Sequence, residues 1–306
     1  MTVTESHSRW EGCLLGLAVG DALGAPLEFH RRERITPITG MIEGGKFRMR
    51  RGEWTDDTAM ALCLADSLIA CDGFDAGDQM ARYWRWANEG ENSTRPRAFG
   101  IGKTVAMALG CYQQSGDPWC GRDALSASGN GSIMRLAPVA MRFAGDPSLA
   151  DHAEASSRTT HASPLCLSAC RLMALLLERA LLGETVKARW LETADLDQEP
   201  YHELLMPLLA GEYRVKSADA IHGSGYVLES LEAALWCLWH TDSFEEAVLK
   251  AANLGDDADT TAAVTGQLAG AFYGVAAIPA EWLELLHQRE RIREAARQLQ
   301  VMRGQG

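Results

Sequence analysis

Apolar residues recur with a period near 3.6 over about 10–24, 58–71, 75–88, 101–114, 133–142, 163–183, 226–240, 243–254, 258–274 and 281–301, and strict alternation is hard to find anywhere. That pattern predicts an all-α protein, a compact orthogonal helical bundle. Pro96, Pro118, Pro164, Pro200 and Pro279 fall in or beside the gaps, where a residue without an N–H does least harm. The last helix is expected to run from Glu281 to Met302, with Arg303 to Gly306 as a frayed tail. No Pro/Ser/Gly linker or charge block interrupts the pattern, so residues 1–306 read as a single domain.

Two helices carry a second, slower rhythm. Ser8, Gly12, Gly16, Gly20 and Gly24 fall every four residues, and so do Ala258, Ala262, Gly266, Gly270 and Gly274. Spacing by four places each set along one face. A mid-helix glycine costs ~1 kcal/mol relative to alanine, so a compensating gain is required, and close backbone approach between packed helices supplies one. A tight core that merely tolerates small residues is the plainer account. Either way these helices belong near the centre, against each other.

Composition narrows the class. With 47% apolar residues in 306, the chain can bury a sizeable core. Its 29 basic and 41 acidic residues leave a net charge of −12, the wrong sign for general nucleic-acid binding or an anionic membrane. Even the densest apolar run, Leu172 to Leu182, carries Glu178 and Arg179, so no spanning helix is expected. The polar stretch Met1 to Trp10 lacks the apolar centre of a signal peptide. Eight cysteines without a CxxC pair read as reduced core residues of a cytoplasmic protein.

The chemistry concentrates at two acidic helix starts. Trp54-Thr55-Asp56-Asp57-Thr58 precedes one apolar helix, and Gly255-Asp256-Asp257-Ala258-Asp259-Thr260-Thr261 opens the helix with the small-residue face. One helix cap explains one such oxygen, and adjacent carboxylates repel. Asp and Thr oxygens together suit hard divalent cations, Mg2+ or Mn2+, and two ions sharing carboxylates would relieve the repulsion. Zinc fits poorly without nearby His or Cys, and no EF-hand loop is present. Glu28, beyond the C-terminal end of the first small-faced helix, reads as an exposed loop carboxylate by itself. Antiparallel packing of the two helices would instead bring it beside the second acidic cluster, where a general base would sit. His7, His30, His152, His202, His222, His240 and His287 have no partner spacing and are given no role.

Taken in order, Gly20-Asp21-Ala22-Leu23-Gly24 with Glu28, Trp54 to Thr58, Gly129-Asn130-Gly131-Ser132-Ile133-Met134-Arg135, Thr160-His161 and Gly255 to Thr261 resemble the motifs of the ADP-ribosylglycohydrolase family. The resemblance covers about residues 10–275. It implies an all-α fold with a two-metal centre that removes ADP-ribose from a modified side chain, on a protein or a small conjugate, arginine being the leading linkage. It places the metal ligands on Thr55, Asp56, Asp57, Asp257, Asp259 and Thr260, and the catalytic glutamate on Glu28. Asn130, Gly131 and Ser132 would cradle the diphosphate, His161 would close the pocket, and Gly225 with Tyr226 would border the ribose. Gly100 stands where arginine-directed bacterial members of the family carry aspartate. Two other readings stay open: a two-metal nucleotide phosphohydrolase, and a non-catalytic relative that binds ADP-ribose or serves structurally.

Overall fold

The computed structural model describes residues 3–193, 196 and 201–303. The first helices are α1 (Val3–Gly24), α2 (Asp56–Ala70), α3 (Ala76–Glu89), α4 (Lys103–Ser115), α5 (Ala137–Phe143), α6 (Leu149–Arg158) and α7 (Pro164–Leu181). They are followed by α8 (Lys187–Trp190), α9 (Met206–Leu209), α10 (Val227–Trp239), α11 (Phe244–Ala252), α12 (Ala258–Tyr273), α13 (Ala280–Leu285) and α14 (Arg289–Met302). The described residues contain no strand, only isolated bridges such as Arg31 with Gly255 and Gly129 with Tyr226. None of these helices is long and apolar enough to cross a membrane.

The small-residue faces form one seam. A Cβ on Gly12, Gly16, Gly20 or Gly24 would collide with the carbonyl oxygen of Gly270, Gly266, Ala262 or Ala258 respectively. As the number rises on α1 it falls on α12, so the two helices run antiparallel in backbone contact. Around them α7 is buried on nearly every face, which suits its almost continuous apolar sequence. Trp10, Trp54, Trp86 and Trp190 are fully enclosed in the same core.

Several expectations shift. The stretch 133–142 turns helical only at Ala137, and the polar α6 was not anticipated from its weak apolar period. The expected helix from Glu281 to Met302 is two, because Gln288 adopts a left-handed φ of 54° and the His287 N–H donates to the Gly52 carbonyl at 2.9 Å. Pro200 and residues 304–306 of the expected tail lie outside the described residues. The reading of all eight cysteines as reduced and buried is corrected. Cys111 and Cys120 form a disulfide, and Cys71 is exposed. The inner face of α4 is taken by Val105, Ala108 and Leu109, which leaves Cys111 on the outside facing the loop that carries Cys120.

Candidate functional site

Asp21, in the last turns of α1, is wholly buried and aims across the seam at the start of α2. Its carboxylate accepts from Thr55 N (2.9 Å), Thr55 Oγ1 (2.9 Å), Thr58 N (3.0 Å) and Thr58 Oγ1 (2.6 Å). Thr55, the N-cap residue of α2, makes no capping bond with its own side chain, so Asp21 caps this helix from another element. Burial still pushes the Asp21 carboxyl up to about 6. The Thr55 hydroxyl lies 3.3 Å from Asp57 Oδ2 and 3.4 Å from Asp259 Oδ2, drawing the two acidic clusters together.

Glu28 follows a short 3-10 turn, Ala25–Leu27, and is buried, which corrects its reading as an exposed loop carboxylate. The backbone after it is clipped to the loop before α12: Phe29 N–H donates to the Asp256 carbonyl, and Asp256 N–H to the His30 carbonyl, both at 2.7 Å. Phe29 and Asp256 both adopt left-handed φ, 66° and 54°, which the paired bonds hold in place. Asp257, the N-cap residue of α12, receives the Asn130 side-chain amide at 2.6 Å.

The outcome is two groups of carboxylates, Asp21, Asp57 and Asp259 in one and Glu28, Asp257 and Asp259 in the other, each with oxygens within 4.8 Å of one another. Asp259 belongs to both. Burial first, then mutual repulsion, raises Asp56, Asp57 and Asp259 well above the ordinary carboxylate range and Glu28 to about 8. Asp57 Oδ1 and Glu28 Oε2 are buried without a hydrogen-bond partner. The donor set is all hard oxygen, its charges lack counterparts and two of its buried atoms lack partners, which fits divalent cations.

A second wall, joined to the acids at Asp257, is built by two loops laid side by side. Asn130 N–H donates to the Gly225 carbonyl (3.1 Å), and Val227 N–H to the Ser128 carbonyl (3.0 Å). His161 packs beneath them so closely that a Cβ on Gly131 would fall 2.7 Å from its Cε1. Arg135 donates to Thr160 Oγ1 at 2.7 Å, and that oxygen lies 2.8 Å from His161 Nδ1. Where the Thr160 hydroxyl donates to Nδ1, the ring carries its proton on Nε2, the nitrogen 3.1 Å from that Gly131 position. Burial, with the Arg135 charge, lowers His161 to about 3, so the ring is neutral.

These walls enclose an open cavity of about 800 Å³, large enough for a nucleotide-sized ligand. A family model described as ADP-ribosylglycohydrolase matches residues 2–306. The chain belongs to the ADP-ribosylglycohydrolase family. ADP-ribosylarginine hydrolase Tri1 of Serratia proteamaculans is 42% identical over 98% of this chain and 81% of its own. ADP-ribosyl-[dinitrogen reductase] glycohydrolase of Rhodospirillum rubrum is 33% identical over 99% of this chain and 98% of its own. A solved structure described as an ADP-ribosylglycohydrolase-related protein complex superposes with a TM-score of 0.89 at 40% identity, covering 98% and 99% of the two chains. Membership makes the chain a hydrolase of the glycosidic bonds of ADP-ribose.

In this ADP-ribosylglycohydrolase, Glu28, Asp56, Asp257, Asp259 and Thr260 line the cavity on the acidic wall. Asn130, Gly131, His161 and Gly225 line it on the second. Thr55 and Asp57 lie behind the first wall, bonded to the same cluster. Ser132 is buried and accepts from the Cys170 thiol at 3.4 Å, while Tyr226 packs partly buried against the core at the start of α10. The sequence motif alone assigns Asp21 no role, and the structure makes it the residue that holds Thr55 and Thr58. A carboxylate inside an otherwise small-faced helix was the available signal. Gly100, where the resemblance leads one to expect aspartate, adopts a φ of 80° against the Asp56 carboxylate, so a side chain there would strike Asp56 Oδ1.

Proposed function

We propose that this enzyme, acting as one domain over residues 1–306, hydrolyses the N-glycosidic bond between ADP-ribose and an arginine side chain. The modified arginine belongs to a protein or a small conjugate, and the reaction takes place in the cytoplasm. The observation that carries the reading is a nucleotide-sized cavity lined by buried carboxylates, by glycine loops and by a neutral histidine. Named arginine-directed relatives at 42% identity favour that linkage over others.

Mg2+ or Mn2+ would be held by Thr55, Asp56, Asp57, Asp257, Asp259 and Thr260, and when bound would polarise ribose oxygens and offset charge developing at the scissile carbon. The chain's own groups do the rest. Asp21 accepts the Thr55 hydroxyl proton and fixes that oxygen beside Asp57 and Asp259, where its lone pairs would be free for a cation. The charge of bound cations would lower Glu28 from the value near 8 that burial and its carboxylate neighbours give it, and its ionised Oε2, unpaired at the cavity wall, would then accept the proton of the attacking water. Asn130 holds Asp257 in place, and the backbone about Gly131 with His161 Nε2–H offers donors to the diphosphate. Asp56, whose carboxylate occupies the space beside Gly100, keeps that part of the wall acidic without a side chain there, which suits a guanidinium leaving group.

Release of arginine from ADP-ribosylarginine, followed by chromatography, tests the reading. Chelator should abolish release, and Mg2+ or Mn2+ should restore it. Full turnover in excess chelator, or cleavage of free nucleotide phosphates in place of the conjugate, would overturn it.

A further inference from the structure

The cations of this acidic chain are not evenly used. Over most of the surface they pair with the chain's own carboxylates: Arg82 with Asp78, Arg171 with Glu154, Lys216 with Glu232, Arg297 with Glu11. On the two segments that bring Lys46 and Lys103 to the cavity, and Arg48 and Arg50 to a second hollow, they do not. Residues 46–51 carry Lys46, Arg48, Arg50 and Arg51 without an acid, and residues 95–103 carry Arg95, Arg97 and Lys103 without one. Among these, Arg95 alone forms an ion pair among the described residues, with Glu53 at 2.8 Å. The same arginine stitches the two segments together, donating to the Phe47 carbonyl at 2.9 Å and the Arg48 carbonyl at 3.3 Å. The other six side chains are exposed.

Between these cations stands a row of aromatic rings. Phe29 and Phe47 meet edge to face at 6.2 Å, and Phe47 and Phe99 lie 5.5 Å apart. Lys46 lies over Phe29 and Arg95 over Phe99. Phe29 is 57% exposed in a left-handed conformation directly after Glu28, an arrangement that costs free energy and solvates a large ring. An exposed ring beside two half-buried ones, among cations most of which lack an ion pair, has the composition of a recognition surface. Phe29, Lys46, Phe47 and Lys103 line the same cavity as Glu28.

We infer that this surface docks an acidic stretch of the modified protein and so presents its ADP-ribosylated arginine to Glu28. The inference rests on the arginine reading above. Phe29 and Phe47 cover the leaving side chain's apolar stem, while Arg48, Arg50 and Arg97 meet carboxylates of flanking residues. A short acidic segment fits better than a nucleic acid, because a long polyanion would run off these two segments onto a surface that carries the chain's negative excess.

The test uses free ADP-ribosylarginine and three ADP-ribosylarginine peptides with flanks of aspartate, serine or lysine. At low salt the aspartate peptide should show kcat/KM about 10-fold above the serine peptide, mainly through KM, and the advantage should vanish by about 0.5 M NaCl. In Arg48→Glu/Arg50→Glu/Arg97→Glu the advantage should be lost or inverted while free ADP-ribosylarginine turns over as in the wild type. If the triple variant melts early, Arg97→Glu alone should show a smaller loss of the same kind. Equal use of all three peptides by the wild type overturns the inference, as does an advantage that survives charge reversal. Inhibition by a 20-nucleotide single strand at lower concentration than by the unmodified aspartate peptide overturns it in favour of nucleic acid. Failure of the wild type to cleave free ADP-ribosylarginine is a different result and removes the arginine reading itself. Docking is then judged by anisotropy of the labelled, unmodified aspartate peptide, where binding insensitive to salt and to the variant overturns it.

Discussion

Along their middle, α1 and α12 approach until backbone meets backbone, and every side chain that would keep them apart is missing. At the end of the same pair, Asp21, Glu28, Asp257 and Asp259 are forced together with no cation of the chain between them. The seam gains from contact, and its end is destabilised by repulsion. The two are connected, since carboxylates on opposing helices reach within 4.8 Å only because glycines let the helices close. Stability accounts for the seam and not for the acids, whose clustering is what the proposed reaction requires.

The comparison breaks most visibly at Gly266. A Cβ there would strike the Gly16 carbonyl, which is main chain and cannot rotate away. Gly266→Ala should cost at least ~3 kcal/mol and yield little soluble folded protein. Normal expression and melting in that variant would mean the helices are not in backbone contact.

Glu28→Gln should do the reverse. Removing one of several repelling charges leaves stability unchanged or higher, while turnover falls ~10²–10⁴ because the amide cannot accept water's proton. Calorimetry with ADP-ribose, followed by single-turnover hydrolysis, checks the pair of outcomes. Wild-type turnover would take Glu28 out of the reaction.

Both ends of this contrast were legible in the sequence, for different reasons. Spacing by four marked the seam because a helix face is a local property. The paired acidic helix starts stood out because too many oxygens surrounded too few N–H groups. What the sequence hid was tertiary. Nothing near Asp21 announces that it caps a helix thirty-odd residues on, and nothing near Gly100 announces the Asp56 carboxylate that fills its space. The break at Gln288 likewise has no Gly or Pro to signal it, since the cause is a bond from His287 to Gly52. The Cys111–Cys120 pairing was missed because apolar neighbours were read as burial, although Cys111 faces outward.

A smaller effect tests the second wall, where burial stabilises a neutral group. His161 is held at about 3, below the ~6.5 of an unfolded chain. The unfolded state therefore takes up a proton first, and the stability present above pH 6.5 is lost as pH falls toward 3. At pH 5 that loss is about 2 kcal/mol for one such group, relative to pH 7. Urea unfolding of wild type and His161→Gln at both pH values should show a steeper acid loss in the wild type. Nitrogen-15 spectra should show the proton on Nε2. Equal pH slopes, or a ring that titrates near 6, would place the histidine in water.

The smallest effect isolates what a glycine means when nothing packs against it. Gly110 lies inside α4, as Gly266 lies inside α12, yet a Cβ on Gly110 would meet no atom within 4 Å beyond its own helix. Intrinsic preference then decides. Glycine leaves more backbone freedom in the unfolded chain and is ~1 kcal/mol worse than alanine in a helix interior. Gly110→Ala should therefore raise stability by up to ~1 kcal/mol, a rise in Tm of about 2 °C in a chain of this size, with turnover unchanged. The same substitution would thus have opposite signs in two helices of one protein, set by whether a carbonyl of another helix occupies the space. If Gly110→Ala destabilised like Gly266→Ala, α4 would need its glycine for contact too, and the seam would lose its distinction.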